Sequence, residues 1–152
     1  MAATEQTGPV VRRMAREDID SVLALDRRVE AGSSLLSHAD LLSLNPGGPG
    51  DLSFVAVTGN RLAGFMLARL QYLMIPFTEV CVIQGILVDP EYRRRGIGGE
   101  LYRTLIEHCK AEHIGLIRAL VPQYDTELRR FMGRYGFSPS VVTNFDRKLE
   151  TD

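Results

Sequence analysis

The chain lacks tryptophan and any excess of positive charge, and it contains only two cysteines. Cys81 and Cys109 are spaced wrongly for a Cys-x-x-Cys site and lie in apolar surroundings, so we expect reduced, buried thiols. The net charge of −1 argues against a general nucleic-acid binder, because such domains need a clear excess of lysine and arginine. We therefore predict no metal site and no nucleic-acid partner.

Long apolar runs are also missing from the sequence. No stretch approaches the roughly 20 apolar residues that cross a bilayer, and residues 1–8 lack the apolar core of a signal peptide. We expect a soluble, cytoplasmic protein with no membrane partner. With 152 residues and 45% apolar content, the chain fits one globular domain over residues 1–152. We expect residues 1–8 of this domain to be flexible.

Apolar periodicity predicts an alternation of strands and helices. A breaker cluster at residues 45–50 marks a loop, Gly59-Asn60 marks a hairpin, and Gly136 marks the end of the last helix. The predicted helices are 17–29, 37–44, 97–112 and about 128–135, and the predicted strands are 10–14, 52–57, 62–70, 79–88, 116–121, 138–142 and 143–149.

The segment 86–99 joins a strand to a helix through a loop rich in arginine and glycine. The first amides of a helix lack intrahelical partners and carry the positive end of the dipole, so they favour an anion. Glycines at 96, 98 and 99 would let a diphosphate approach the backbone, and the arginines at 93–95 add charge. By itself the pattern is equally typical of a helix start behind a solvated basic loop. Leu101 stands where a dinucleotide fingerprint needs its third glycine.

The run Arg93-Arg94-Arg95-Gly96-Ile97-Gly98 matches the Arg/Gln-x-x-Gly-x-Gly/Ala signature of the GNAT superfamily of N-acetyltransferases. The sequence also resembles that family in the Leu-Val-Asp-Pro-Glu-Tyr before the signature and in the Tyr-Gly-Phe at 135–137. The resemblance implies an α/β GNAT acyl-CoA N-acyltransferase fold. Its sheet would be mixed and mostly antiparallel, with about seven strands flanked by four helices and a splay between strands four and five.

The resemblance further implies acetyl-CoA as co-substrate, with no metal. The main chain of the fourth strand would pair with the pantetheine arm, and the loop would hold the diphosphate. Asp125 stands where an asparagine often contacts the cofactor, and Met132 stands where many members place a tyrosine. The residues implied in cofactor binding are Ile86, Leu87, Val88, Arg93, Arg94, Arg95, Gly96, Ile97, Gly98, Gly99, Asp125 and Met132.

The implied reaction is direct attack of a primary amine on the acetyl thioester, which needs a base for the amine and a proton for the leaving thiolate. Gln84 occupies the position of the glutamate that many members carry on the fourth strand. Our candidates for catalytic residues are Glu79 as base, Gln84 as an orienting group, and Tyr135 or else Tyr124 as proton donor. His38 and His113 are weaker candidates, although histidine side chains commonly serve as acids and bases.

The acceptor would be an amine-bearing small molecule or protein, bound in a groove that draws on residues 31–50 and 71–77. The apolar run 72–77 could line this groove or be buried in a homodimer, and we favour the dimer. Two other functions compete with the enzyme: an acyl-CoA sensor without turnover, which Gln84 and Met132 favour, and a nucleic-acid adaptor that uses Arg93 to Arg95.

Overall fold

A computed structural model describes residues 8–32, 34, 36–73 and 78–151 of the chain. They divide into two compact units, Met1–Leu120 and Val121–Asp152. Short 3-10 helices lie at Arg16–Asp18 and Pro90–Tyr92. The elements are β1 (Val10–Arg13), α1 (Ile19–Glu30), α2 (His38–Ser43), β2 (Phe54–Thr58), β3 (Arg61–Leu73), β4 (Thr78–Val88), α3 (Ile97–Ala111), β5 (Ile117–Ala119) and α4 (Thr126–Arg134).

The first unit contains one mixed sheet in the order β1-β2-β3-β4-β5. All neighbours are antiparallel except β4 and β5, which run parallel. Thr58 pairs with Arg61 across a two-residue turn, and Gly59 adopts a φ of 60°, which suits glycine. The predicted hairpin is therefore confirmed, as is the mixed, mostly antiparallel character of the sheet.

Helices cover both faces of this sheet, because successive side chains of a strand point to opposite faces. Val55 and Phe65 belong to a buried apolar cluster with α1 and α2 residues such as Val22 and Leu41. The neighbouring Phe54 points the other way, and its ring meets the His108 ring of α3 edge-on at 5.7 Å. The buried side chains of α3, at the predicted helical spacing, are Ile97, Leu101, Tyr102, Leu105 and Cys109.

A paired carboxylate fixes the turn between β1 and α1. Both Asp18 oxygens accept from Arg12, at 2.7 and 2.9 Å, and one also accepts from the Ala15 amide at 2.7 Å. The hydrogen bond from Arg12 lowers the pKa of Asp18 against the opposing effect of burial. This carboxylate therefore stabilises the fold only while it is charged.

Asp18→Asn should lower the free energy of unfolding at pH 7 by about 1 kcal/mol, because the pair is half exposed on its arginine side. A lowered folded pKa gives stabilisation that is present above the unfolded value of about 3.9 and lost as pH falls through the folded value. The difference from the native chain should thus shrink below about pH 4. Urea unfolding at pH 7 and pH 3 measures it, with the exposed Asp20→Asn as control. A pH-independent difference would contradict the assignment.

The prediction of about seven strands is wrong, since the described residues form five. Residues 138–149, predicted as a strand pair, form no strand, and Val141 and Phe145 within them are 102% and 95% exposed. A strand needs a hydrogen-bonded neighbour, and a lone two-stranded hairpin is marginal in water. The β propensity of this segment is therefore not sufficient to predict its structure.

The apolar connection between β3 and β4 falls largely outside the described residues, because 74–77 are not among them. Its assignment to a dimer interface or an acceptor groove stays a prediction. Cys81 and Cys109 are both free and buried, as expected. None of the helices that the structure describes has the length and apolarity to span a membrane.

Candidate cofactor site

The second half of β4 has one open edge. Pairing with β5 stops at Ile83 and Ala119, whereas pairing with β3 continues to Val88. The Asp89 amide donates to the Ala63 carbonyl at 2.8 Å. Because main-chain groups alternate between the two edges of a strand, Ile86 and Val88 face the open edge. The main-chain amide and carbonyl groups of these two residues can therefore form hydrogen bonds with a ligand at the open edge, whereas those of Leu87 point toward β3.

Gln84 lies at an irregularity in the sheet. Leu67 pairs with Gly85 and Ala68 pairs with Ile83, so Gln84 is an extra residue in β4 without an opposite number on β3. Such a bulge bends a strand and redirects a side chain. Gln84 is exposed and sits where the pairing of β4 with β5 ends, so it lies at the mouth of the open edge.

The open edge leads through a short loop to the start of α3. Gly96 precedes the helix with a φ of 76°, and it has no side chain that could cap the helix. The first intrahelical hydrogen bond runs from the Glu100 amide to the Gly96 carbonyl, at 2.9 Å. The amides of Ile97, Gly98 and Gly99 therefore lack an intrahelical acceptor and sit at the positive end of the helix dipole. This arrangement suits an anion.

The three loop arginines differ in their contacts. Arg93 Nε donates to the Val88 carbonyl at 3.3 Å, which secures the loop to the end of β4. The Arg95 guanidinium lies 5.2 Å from the centre of the Tyr92 ring, a cation–π contact. Arg94 is exposed, adopts a φ of 64°, and makes no side-chain hydrogen bond or ion pair with the described residues. Arg94 is thus available to a ligand.

Asp89 is a buried residue at the start of this loop and connects it to other elements. Its carboxylate is fully buried and accepts from Arg28 Nη2 at 2.6 Å, from Arg61 Nη2 at 3.3 Å and from the Glu91 amide at 3.0 Å. Burial raises the pKa of Asp89, but the hydrogen bond from Arg28 and the other donors outweigh it and leave this pKa lowered. The charged carboxylate therefore connects the loop with α1 and β3.

Glu79 lies far from this loop. It is the exposed second residue of β4, and its Oε1 accepts from the Tyr72 hydroxyl at 3.2 Å. With His108 and Glu112 it lines a cavity of about 300 Å³ near the other end of α3. Val88 lies nine positions after Glu79 in β4, a distance of about 30 Å along the strand. The catalytic roles of Glu79 and Gln84 stay predictions.

Three predicted site residues belong to the second unit. The Asp125 carboxylate accepts from the Leu128 amide at 3.0 Å and so caps the start of α4. Met132 is buried, and Tyr135 is half-buried with its ring 4.8 Å from that of Phe131. Gly136, with a φ of 87°, ends this helix as predicted. The cofactor and proton-donor roles of these residues stay predictions.

The sequence alone does not predict the roles of Asp89, Arg28 and Arg61. An aspartate before a proline signals a turn or a helix cap, and Asp89 does accept from the Glu91 amide. Its arginine partners lie 61 and 28 positions earlier in the chain, at separations that local patterns do not cover. Only the folded arrangement of α1, β3 and the loop brings them together.

Solved structures of similar fold include aminoglycoside acetyltransferases. AAC(6')-Iy in complex with CoA superposes with a TM-score of 0.80 at 18% identity, over 97% of this chain and 99% of that one. AAC(6')-Iy with the bisubstrate analogue CoA-S-monomethyl-acetylneamine gives 0.78 at 19%, over 93% and 98%. The enzyme meta-AAC0020 from an uncultured soil metagenomic sample, with sisomicin, gives 0.75 at 18%, over 93% and 97%. These likenesses establish the fold.

Sequence comparison places the chain in a family. Acetyl transferase GW6a of Oryza sativa subsp. japonica is 37% identical over 67 residues, which make up 42% of this chain but only 16% of that relative. The acetyltransferase (GNAT) family model matches residues 21–137, which include the open edge of β4, the loop and α3. The chain therefore belongs to the acetyltransferase (GNAT) family, as its signature predicted.

Proposed function

We propose that the chain transfers an acetyl group from acetyl-CoA to a primary amine of a small molecule or protein. The observation that carries the proposal is the open edge of β4, which leads directly to the unpaired amides at the start of α3. Together they offer main-chain hydrogen bonds for an amide-bearing arm and a positive cradle for its phosphates. The proposed location in the cytoplasm follows from the sequence alone.

The residues fit the chemistry of CoA. The amides of Ile97, Gly98 and Gly99 would hold the diphosphate, with Arg94 adding charge. The main-chain groups at Ile86 and Val88 would pair with the amides of the pantetheine arm, as a further strand does at a sheet edge. The thioester would then lie toward Gln84, where β4 and β5 part.

The proposed chemistry is a displacement at the thioester carbonyl. The neutral amine nitrogen attacks the carbonyl carbon, the C–N bond forms, and the C–S bond breaks to release CoA as a thiolate. One proton leaves the nitrogen and one is taken up by the sulfur. Binding both substrates side by side provides much of the rate through proximity and orientation. We place both substrates in one ternary complex.

Gln84 is our candidate for orienting the amine or a water molecule, since its amide cannot take a proton at neutral pH. Residues 80–88 of β4 contain no carboxylate. Solvent therefore accepts the amine proton in this scheme, unless Glu79 reaches it through a chain of water molecules. Tyr135 stays the proposed donor to the thiolate.

The acceptor class is proposed by analogy with structural neighbours. The solved complexes contain aminoglycoside-type amines, namely sisomicin and an analogue built on acetylneamine. With identities under 20%, these neighbours suggest amine-bearing small molecules as the first compounds to test.

A thiol-release assay with acetyl-CoA tests the proposal over a panel of amines: an aminoglycoside, a polyamine, an amino acid, a lysine peptide and a peptide with a free N-terminus. We expect at least one class to release CoA above the rate without amine. Gln84→Ala should slow that release by about tenfold, whereas Asn60→Ala, which removes an exposed amide side chain from the turn between β2 and β3, should not. Failure of every class would contradict the proposal.

An acyl-CoA sensor without turnover is the second candidate. The absence of a carboxylate from residues 80–88 favours it. A sensor would bind acetyl-CoA in calorimetry and release no thiol with any amine. The two candidates thus share the cofactor site and differ in turnover alone.

A further inference from the structure

One buried carboxylate connects three parts of the first unit. Asp89 starts the diphosphate loop, Arg61 is the first residue of β3, and Arg28 lies near the end of α1. Both arginines donate to the same oxygen, Oδ2, at 3.3 and 2.6 Å. The other oxygen accepts from the Glu91 amide within the loop. A movement of the loop that displaced Asp89 would therefore disturb both arginines.

The two side chains of this ion pair differ in their exposure to solvent. The Asp89 carboxylate is 0% exposed, while the Arg28 side chain is 48% exposed. A buried charge is costly without its partners, so Asp89 strongly favours an arrangement in which Arg28 stays in place. The shorter contact belongs to Arg28, so the ion pair to α1 is the closer of the two.

One of these two arginines, Arg61, makes further contacts with the loop. Arg61 also bridges to Glu91 at 2.9 Å and lies 5.5 Å from the centre of the Tyr92 ring. Arg95 lies against the same ring, at 5.2 Å. The loop is thereby linked from Asp89 to the residue before Gly96. A ligand that orders the start of α3 can therefore also restrict the motion of Asp89 through these contacts.

The end of α1 leads the chain toward the expected acceptor side. Arg28 is two residues before Glu30, the end of the helix, and Gly32 with a φ of 81° then turns the chain toward α2. Residues 31–50 are the stretch expected to contribute to the acceptor groove. The ion pair between Arg28 and Asp89 thus connects the proposed cofactor loop with α1, the helix that precedes the expected acceptor-binding residues.

We propose that Arg28 and Asp89 are positioning residues that couple occupancy of the diphosphate site to the order of the last turn of α1. An anion on the amides of residues 97–99 orders the loop, the ordered loop fixes Asp89, and Asp89 fixes Arg28. The coupling is reciprocal, so an acceptor that orders this turn tightens CoA binding by the same factor. The inference rests on the proposed cofactor site and adds a link to the acceptor side.

Hydrogen exchange with and without saturating CoA tests the coupling without any acceptor. In the native chain, CoA should slow amide exchange about threefold or more both at residues 97–100 and at residues 27–31. In Arg28→Gln, the slowing should persist at 97–100 and vanish at 27–31, with CoA bound about three to ten times more weakly. Asp89→Asn, which keeps the shape and loses the charge, should behave in the same way.

Arg27→Gln is the matched control. Arg27 is an exposed arginine on the same helical turn and makes no ion pair with the described residues, so its loss has the same effect on net charge and on the helix dipole. It should keep both regions of slowed exchange. A purely structural role for Arg28 would instead change exchange at 27–31 equally with and without CoA.

Two results would refute the coupling alone, and a third would refute the proposed function as well. CoA that slows exchange at 97–100 of the native chain but not at 27–31 would refute the coupling and leave the cofactor site intact. The same would hold if Arg28→Gln kept the slowing at 27–31. A native chain that does not bind CoA at all would overturn the proposed function together with this inference.

Discussion

Gly98→Glu should weaken CoA binding by about a hundredfold or more and abolish any thiol release. Gly98 is the second residue of α3, half-buried, and its amide is one of the three without an intrahelical acceptor. A glutamate at this position would place a carboxylate beside the proposed diphosphate site, and like charges in contact cost several kcal/mol. Calorimetry with CoA measures the loss.

The control for this variant is Gly115→Glu. Gly115 lies between α3 and β5 and is exposed, and a Cβ added there would have no other heavy atom within 4 Å, so the same carboxylate meets open space. It should bind CoA as the native chain does. Thermal unfolding of both variants checks that they are folded. Equal CoA affinity in Gly98→Glu and the native chain would show that the diphosphate does not bind at the start of α3.

Gly64→Ala should lower the free energy of unfolding by about 1–3 kcal/mol and weaken CoA binding at the same time. A Cβ at Gly64 would lie 3.0 Å from the Leu87 carbonyl oxygen and 3.4 Å from Ile97 Cγ2 and Val88 Cα. Backbone cannot rotate away as a side chain can, so β4 and the start of α3 must move away from β3. Both are parts of the proposed cofactor site.

Gly85→Ala is the matched control for this substitution. Gly85 lies on the neighbouring strand, and a Cβ there would meet only Leu67 Cδ1, at an ordinary 3.9 Å. Its unfolding free energy should stay within about 0.5 kcal/mol of the native value. Urea unfolding of the two alanine variants gives the comparison. Equal stability would mean that β3, β4 and α3 are packed less closely than the structure shows.

The sequence predicts the loop and its flanking elements well because their signals are local. Each of these signals comes from residues that are close together in the chain. They are the apolar run of β4, the helical spacing of apolar residues from Ile97 to Cys109, and the glycine that ends α4. The GNAT family follows from a contiguous signature in the same region. The predicted phosphate loop thus lies between the two elements that the structure confirms most closely.

Features that the sequence does not predict depend on contacts between distant segments. The bulge at Gln84 appears only in the register between β3 and β4. The Arg28–Asp89 pair joins residues 61 positions apart. Residues 138–149 have strand-like composition without strand structure.

The central claim is that main-chain amides at the start of α3 bind the diphosphate of CoA. Titrating CoA into the ¹⁵N-labelled protein and following each amide by NMR tests it most directly. The largest shifts should occur at Ile97, Gly98 and Gly99, and pantetheine, which has no diphosphate, should leave these three unmoved. CoA that binds while these amides keep their free positions would contradict the account.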